Sequence, residues 1–525
     1  MLETDVTQPD SSSMRPPRAR ESVRKDHPLA ARFDAVAPTR DRWKARNAYY
    51  YRSIEALCRR FVPPGSRLLE LGCGTGDLLA ALSPDPKASL GIDISPQTVA
   101  RARAKHPELA FEVGDAEALE LPAGATYDCI VASDLVGHLD DVYTTFRGLR
   151  TACHAGTRLV VTYYNFLWEG VLQLAERLGW KMPQGYQNWL GIQDLENLLF
   201  LGDFRVAARG WELLLPKRIP LVSDVVNAAA PRVPGLRHLC LVQYAVAEVA
   251  PLPPRAVAPR VSVVVPCRNE EGNVDRAVER IPEMGTSTEI LFVDGQSTDG
   301  TVARIESAIA RNRGVRDIRL IHQVPREAVG ASEDPARMLR LGKGDAVRKG
   351  FSAATGDIVM ILDADLTVAP EDLPRFVEVL SEGKARFVNG SRLVYPMEDE
   401  SMRFLNLCGN KAFSLAFTWL LGQPLKDTLC GTKALFREDY GKIAAERAYF
   451  GDFDPFGDFD LLFGAARQRL RMVDMPVRYA RRTAGVSKVR LISHGWLLVR
   501  MSWIAFLKFK WNRWLGRDRA GKAER

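Results

Sequence analysis

None of the eight cysteines is paired as C-x-x-C, and none stands at a spacing suited to a zinc ligand set. A structural metal and a disulfide framework are therefore not expected, as in a reducing cytosol. The seven histidines form no cluster. No run of about 18 uncharged apolar residues is present to span a bilayer, and the amino terminus lacks the apolar core of a signal peptide. These absences predict a cytoplasmic protein. A uniformly basic surface is missing too: the formal net charge is +8, but residues 481–525 hold twelve Lys/Arg against Asp518 and Glu524, which leaves the rest slightly acidic. The basicity is a property of the tail.

What is present is enough for two or three compact cores, with 525 residues of which 46% are apolar. Residues 1–30 mix Pro, Ser and alternating charges without periodicity and are expected to be disordered. From Trp43 a helical pattern runs to the breaker Pro63-Pro64-Gly65, and strand and helix patterns then alternate to about Glu248. That alternation predicts a parallel α/β domain over residues 31–250. The stiff, aperiodic segment Ala250–Pro259 suits a spacer, with the linker placed at residues 251–260. A second α/β domain is predicted over 261–480, built on VSVVVP, EILFVD, DIVMILDAD and FVNGS.

In the first domain the strand Leu68–Leu71 runs into Gly72-Cys73-Gly74-Thr75-Gly76, a G-x-G-x-G turn whose bare backbone N–H groups can approach a ligand. The next strand ends in Asp93, where a carboxylate can take both ribose hydroxyls of a nucleoside. Asp115 lies on a third strand end, near an adenine edge, and Asp134 on a fourth. With Glu70 before the turn, this series resembles the class I S-adenosylmethionine-dependent methyltransferases over about residues 45–250. The resemblance implies a Rossmann-like sheet, with Glu70, Gly72, Gly74, Gly76, Asp93, Asp115, Ala116 and Asp134 around S-adenosyl-L-methionine. A dinucleotide fold is the rival, but its fingerprint places the third glycine one residue later. If the methyl acceptor is a hydroxyl, His138 is the candidate base, against a plain packing role. The aromatic stretch 164–200 reads as an acceptor lid or as core.

In the second domain Pro266, Asn269 and Glu270 follow the first strand, and Asp294, Ser297 and Asp299 follow the second, positions suited to the base and ribose of a nucleotide. Lys343 and Arg348 in GKGDAVRKGF can face a diphosphate near a helix start. Asp363 and Asp365, one residue apart at a strand end, offer hard oxygen ligands to Mg²⁺ or Mn²⁺. Together with N-G-S-R at Asn389–Arg392, K-D-T-L-C-G-T-K at Lys426–Lys433 and R-x-x-G-x-S-K at Arg482–Lys488, these motifs resemble the family 2 glycosyltransferases of GT-A fold. Within that family they are most similar to the dolichol-phosphate mannosyltransferase-like group, over about residues 260–490. The resemblance implies a nucleotide-diphospho-sugar donor, inversion by direct attack, and a polyprenyl-phosphate acceptor met by Arg392, Arg403, Arg482 and Lys488. The arginine that related mannosyltransferases carry shortly before Asn410-Lys411 is missing here. A hydroxyl acceptor would need a base, for which Asp458 is the candidate.

The tail His494–Gly516 interleaves Trp496, Trp503, Trp511 and Trp514 with Arg500, Lys508, Lys510 and Arg513. That composition suits a helix on an anionic membrane surface, or one docked on the enzyme core. No nucleic-acid-binding fold signature accompanies it. The reading is a bifunctional transferase on the cytoplasmic face of a membrane, in glycan or glycolipid synthesis. Two alternatives stay open: a polysaccharide-building glycosyltransferase with a hydroxyl acceptor, and a first domain that binds S-adenosylmethionine without catalysis.

Overall fold

The computed structural model describes residues 28–185, 187–252, 258–324, 342–395, 404–449, 458–480, 499–500, 502–511 and 514, without the side chains of 404–412, 448 and 458. The chain divides into two units, residues 1–250 and 251–525.

The first unit opens with helices rather than with disorder throughout its predicted range: Pro28–Val36 is already helical. The single helix expected from Trp43 is two, Arg40–Arg46 and Ala48–Arg59, parted at Asn47, whose φ of −112° and ψ of 27° interrupt the turn. Seven strands follow: β1 (Leu68–Leu71), β2 (Leu90–Asp93), β3 (Ala110–Val113), β4 (Tyr127–Ser133), β5 (Cys153–Tyr164), β6 (Phe204–Glu212) and β7 (Val242–Val249). Their order is β3-β2-β1-β4-β5-β7-β6. β3 to β5 pair in parallel, whereas β7 runs antiparallel to both β5 and β6. The sheet is therefore mixed, not purely parallel. β7 enters between β5 and β6, a reversal that apolar periodicity does not encode.

The second unit repeats the plan with other connections. Its strands are β8 (Arg260–Cys267), β9 (Ser287–Asp294), β10 (Asp317–His322), β11 (Ile358–Ile361), β12 (Phe387–Ser391), β13 (Lys433–Phe436) and β14 (Met472–Pro476), ordered β10-β9-β8-β11-β13-β12-β14. β13 alone is reversed, lying antiparallel between β11 and β12. Val264, Leu291, Phe351, Ile361, Phe387, Phe459 and Phe463 fill the core under it. The tail joins that core on one side. Ala505 is buried and Phe509 meets Phe463 edge-on at 5.9 Å, while Trp503, Trp511 and Trp514 remain exposed. Among the described residues no helix is long and apolar enough to cross a membrane.

One polar knot fastens the amino-terminal edge of the second sheet. Glu289 of β9 accepts from the Ser262 hydroxyl of β8, from Thr355 N–H at 2.6 Å and from Gly356 N–H at 3.3 Å, just before β11. Arg319 of β10 meets its other oxygen at 3.3 Å. Hydrogen bonds from the Ser262 hydroxyl, the Thr355 N–H and hydroxyl and the Gly356 N–H hold this buried carboxyl below its usual pKa range against the effect of burial. Glu289→Ala strands those donors, so it should cost about 3 kcal/mol of the second unit's stability, read by urea unfolding of the full chain.

Candidate functional site

β1 to β4 end side by side, and the sheet order reverses at β1, so its following turn faces an open crevice. Gly72, Gly74 and Gly76 adopt φ of +71°, +57° and +78°, the left-handed region that a Cβ disfavours. The turn folds back on β2. Gly72 and Cys73 donate to the Ile92 carbonyl at 2.7 and 3.0 Å, and Gly74 N–H donates to Asp93 Oδ2 at 2.9 Å. Ser95 N–H donates to Asp93 Oδ1 at 2.9 Å, so the carboxylate is fixed in orientation while each oxygen keeps a further lone pair. Asp115 accepts Glu117 N–H at 2.8 Å and holds Ala116 at the crevice wall. The whole cleft encloses about 1260 Å³ including its open mouth.

Three buried polar atoms in this lining have no hydrogen-bond partner among the described residues: Glu70 Oε2, Asp134 Oδ1 and His138 Nδ1. Such atoms are costly unless something else meets them. Burial raises the pKa of Glu70 to about 8 against the pull of Lys44. Burial also raises Asp134 to about 6, although the Tyr50 hydroxyl donates to Oδ2 at 2.7 Å. His138 is driven down to about 3 by burial and by the cations Lys181, Arg40 and Arg32. Gln187 Nε2 donates to His138 Nε2 at 3.1 Å, which leaves the ring proton on Nδ1. His138 is therefore a neutral ring with a buried Nδ1–H and a poor proton acceptor, which does not favour its expected role as a base. The stretch 164–200 serves partly as wall: Tyr163, Tyr164 and Leu172 are buried, Met182 and Gln184 line the cleft, and Trp180 faces outward.

At the second crevice Asp363 stands two residues beyond β11, and its Oδ1 meets Lys343 Nζ at 2.6 Å. Against the effect of burial, Lys343, helped by Lys433 and Arg392, holds the Asp363 carboxyl low. A Cβ at Gly431 would collide with both Asp363 and Lys343, so glycine there lets the backbone of the Lys426–Lys433 motif close on the pair. Asp365 accepts from Thr367 N–H at 3.1 Å and from its hydroxyl at 2.8 Å. Among the described residues no three His, Cys, Asp or Glu side chains gather as a metal site. The donor set still fits a hard divalent cation, with Asp363 and Asp365 as protein ligands and the remaining positions open to phosphate oxygens and water.

Several other expected donor contacts are occupied differently. Asn269, at φ +56°, accepts Thr298 N–H at 2.8 Å and donates its own N–H to Ser297 Oγ at 2.9 Å. Asp299 accepts Thr301 N–H at 3.0 Å just ahead of the helix Thr301–Arg311, whose N-cap is Gly300. These three side chains knit the loops after β8 and β9 to each other. Pro266 lies within β8, Glu270 accepts Asn273 Nδ2 at 2.8 Å, and Asp294 ends β9 with Oδ1 taking Ser297 N–H at 3.1 Å. Arg348 faces Asp460 at 3.3 Å instead of the Lys343 side, because five residues along a helix turn it well over 90° away. Arg392 is expected at a phosphate, yet its Nε and Nη2 donate to Asp427 at 2.7 and 3.0 Å in a largely buried pair. Arg403, Arg482 and Lys488 lie outside the described residues, as does the side chain of Asp458, which opens the helix Asp458–Arg467.

Residues 43–208 match the family model for a methyltransferase domain, and residues 262–328 and 337–442 match that for glycosyl transferase family 2. The chain joins a methyltransferase domain to a family 2 glycosyltransferase domain. The two sheets are accordingly Rossmann-like and GT-A. The glycosyltransferase half is 28% identical over 244 residues to the polyprenol monophosphomannose synthase of Mycolicibacterium smegmatis, covering 45% of this chain and 84% of that one. It is 26% identical over 236 residues to the dolichol-phosphate mannosyltransferase of Pyrococcus furiosus, covering 44% and 59%. Against the Saccharomyces cerevisiae dolichol-phosphate mannosyltransferase the values are 32% over 126 residues, 23% and 41%. The match thus spans less than two thirds of the archaeal and yeast relatives.

Sequence reasoning missed the roof of the methyltransferase cleft. Lys44 donates to Thr75 Oγ1 at 2.9 Å and to Asp77 Oδ2 at 2.6 Å, and an Arg40 guanidinium nitrogen lies 2.6 Å from where a Gly74 Cβ would stand. Both precede β1, and their spacing of four on a helix was the available signal. In the glycosyltransferase domain Asp427 and the buried Lys433 were read only as motif letters.

The raised carboxyls of the methyltransferase domain set a pH dependence with a definite sign. A carboxyl whose folded pKa lies above its unfolded value contributes stability at low pH that is lost as pH rises. For Asp134 the loss runs from about 4 to about 6, and for Glu70 it continues to about 8. His138, held low, acts in the opposite sense up to its unfolded value of about 6.5, so the melting temperature of this domain should fall from about pH 6.5 to pH 8 in calorimetry, and Glu70→Gln should flatten that fall.

Proposed function

We propose that the protein is a bifunctional transferase. One domain transfers a methyl group from S-adenosyl-L-methionine, and the other transfers a sugar, with inversion, from a nucleotide-diphospho-sugar to a polyprenyl phosphate at the cytoplasmic face of a membrane. The observation that carries this reading is the contrast between two carboxylate-lined crevices. In the first, Glu70 and Asp134 keep buried oxygens without a partner; in the second, Asp363 is met directly by Lys343. Buried carboxyls with an unmet oxygen and a raised pKa become favourable as anions when a cation enters, and S-adenosylmethionine carries a sulfonium and an ammonium. A carboxylate already matched by lysine suits a ligand that brings both signs, a divalent cation with a diphosphate.

In the methyltransferase domain the glycine turn and Glu70 take the methionine end, Asp93 the ribose hydroxyls, and Asp115 with Ala116 the adenine. Bound there, S-adenosylmethionine supplies an electrophilic methyl group. The chain's part is alignment of acceptor and methyl for an in-line displacement, with Asp134 orienting the acceptor from the cleft wall.

In the glycosyltransferase domain Pro266, Glu270 and Asp294 border the nucleoside, while Asn269, Ser297 and Asp299 brace those loops. Asp363 and Asp365 hold Mg²⁺ or Mn²⁺, which supplies positive charge for the departing diphosphate. Lys343 leaves Asp363 for a phosphate oxygen when the donor enters. An acceptor phosphate is already largely dianionic near neutral pH and needs no base. With Arg392 engaged by Asp427, its cations are Arg403, Arg482 and Lys488. The likeness to polyprenyl-phosphate sugar transferases supports that acceptor over a hydroxyl. The tail supports a membrane location, since Ala505 and Phe509 anchor it while Trp503, Trp511 and Trp514 stay exposed beside Lys508 and Lys510.

Incubation with polyprenyl phosphate, Mn²⁺ and a panel of nucleotide sugars should yield a glycosylated lipid phosphate by mass spectrometry. Chelation by EDTA or Asp363→Asn should lower turnover at least about a hundredfold; full activity in EDTA would exclude the metal. Titration calorimetry with S-adenosylmethionine should give heat that Asp93→Ala weakens about a hundredfold, a loss of about 3 kcal/mol for two charge-assisted hydrogen bonds. Absence of heat in the wild-type chain would exclude S-adenosylmethionine as its ligand.

A further inference from the structure

We propose that the methyltransferase domain carries its own docking face for an anionic phospholipid surface, separate from the tail. β6 ends at Glu212 and its antiparallel partner β7 begins at Val242. Antiparallel neighbours need a connection of only a few residues. Here residues 213–241 intervene, folded around the helix Val222–Ala229 and two short turns.

This excursion points its apolar side chains outward. Leu221 is 87% and Val225 68% exposed, and Val222, Leu236 and Leu239 are each more than 40% exposed. Leu221 also holds φ at +65°, a left-handed value that leucine rarely adopts. The helix Glu169–Arg177 extends the same surface with Val171 and Leu174, followed by Leu178 and Trp180, all more than half exposed. The two edges are bonded together. Trp168 Nε1 donates to the Leu239 carbonyl at 2.8 Å, and Asn165 Nδ2 donates to the His238 carbonyl at 2.7 Å. An exposed apolar surface of this extent is unusual on a soluble monomer.

Charge identifies the occupant. Residues 213–239 carry Lys217, Arg218, Arg232 and Arg237, all exposed, against Asp224, which accepts from the Tyr49 hydroxyl at 3.0 Å. Apolar tips ringed by cations match acyl chains beneath anionic headgroups. A second copy of the chain would set like charges against each other, and a nucleic acid would leave Leu221 and Val225 without a partner. The surface also borders the cleft. The excursion is bonded to Tyr49 and Asn47 beside the helix that brings Tyr51 and Ile54 into the cleft wall, and Trp180 precedes Met182 of that wall. A methyl acceptor carried in the bilayer would meet the cleft mouth where the domain docks. The docking itself needs no methyl transfer and does not rest on that reading.

Hydrogen-exchange mass spectrometry of the full chain with phosphatidylglycerol vesicles reads this face and the tail as separate peptides. Exchange across residues 213–239 should slow about tenfold with these vesicles and not with phosphatidylcholine. Leu221→Asp with Val225→Asp should abolish that protection and leave the tail peptides and the heat of S-adenosylmethionine binding unchanged; both side chains are exposed, so folding is retained. Unchanged exchange across 213–239 while the chain cosediments with vesicles would overturn the proposal. So would lipid-independent protection that grows with protein concentration, which would make this face a contact between copies.

Discussion

Both sites depend on one constraint of parallel sheets. A strand whose parallel neighbours are reached by connections leaving in opposite directions cannot have its carboxyl end covered by either, so a crevice opens there. β1 is in this position between β2 and β4, and β8 between β9 and β11. Each crevice then collects the residues that follow neighbouring strand ends: Asp93, Asp115 and Asp134 in one unit, Asp294 and Asp363 in the other. β1, β2 and β11 are buried along their whole length, which makes this placement rigid.

What differs is how each crevice balances its charge. In the methyltransferase domain the roofing helices bring Lys44 to Asp77, which it holds well below the usual carboxylate range with Lys105 against the effect of burial, and leave Glu70 Oε2 and Asp134 Oδ1 unmet. In the glycosyltransferase domain three carboxylates among the described residues meet cations directly. Lys343 meets Asp363, Arg392 meets Asp427, and Arg348 with Arg447 meets Asp460. Breaking the largely buried Arg392–Asp427 pair leaves one charge unpaired at a cost of several kcal/mol, so that contact holds the site in shape whatever it adds to net stability. Asn389 belongs to the same scaffold: its Nδ2 donates to the Asp427 carbonyl at 2.8 Å and to Asp474 Oδ1 at 2.7 Å, which ties β12 to β14 beside the Arg392 pair.

The two sheets each contain an element that breaks the parallel plan, β7 in one and β13 in the other. The strand β13 begins at Lys433, the last residue of the Lys426–Lys433 motif, and Gly431 just before it closes on Asp363. The partner of β7 is joined to it through the exposed excursion 213–241. Antiparallel entry frees a connection from having to cross the sheet, so its length and chemistry can be given to a surface.

Local chemistry determined much from the sequence alone. Gly72, Gly74 and Gly76 pointed to a left-handed turn, the apolar runs at Leu68–Leu71, Arg260–Cys267 and Ile358–Ile361 pointed to buried strands, and the acids after those runs were thereby placed at strand ends. The tail composition likewise announced a helix with an aromatic face, though not that Ala505 and Phe509 would join a core. Tertiary structure alone decided which polar side chains were free to meet a ligand. Arg392, Asn269 and Asp299 carry the right chemistry at the right motif positions, yet Asp427, Ser297 with Thr298, and Thr301 engage them. His138 became a donor only because Gln187 reaches its other nitrogen. A side chain's role depends on which partners approach within hydrogen-bonding distance, and those partners come from segments distant in sequence, so periodicity and spacing do not carry that information.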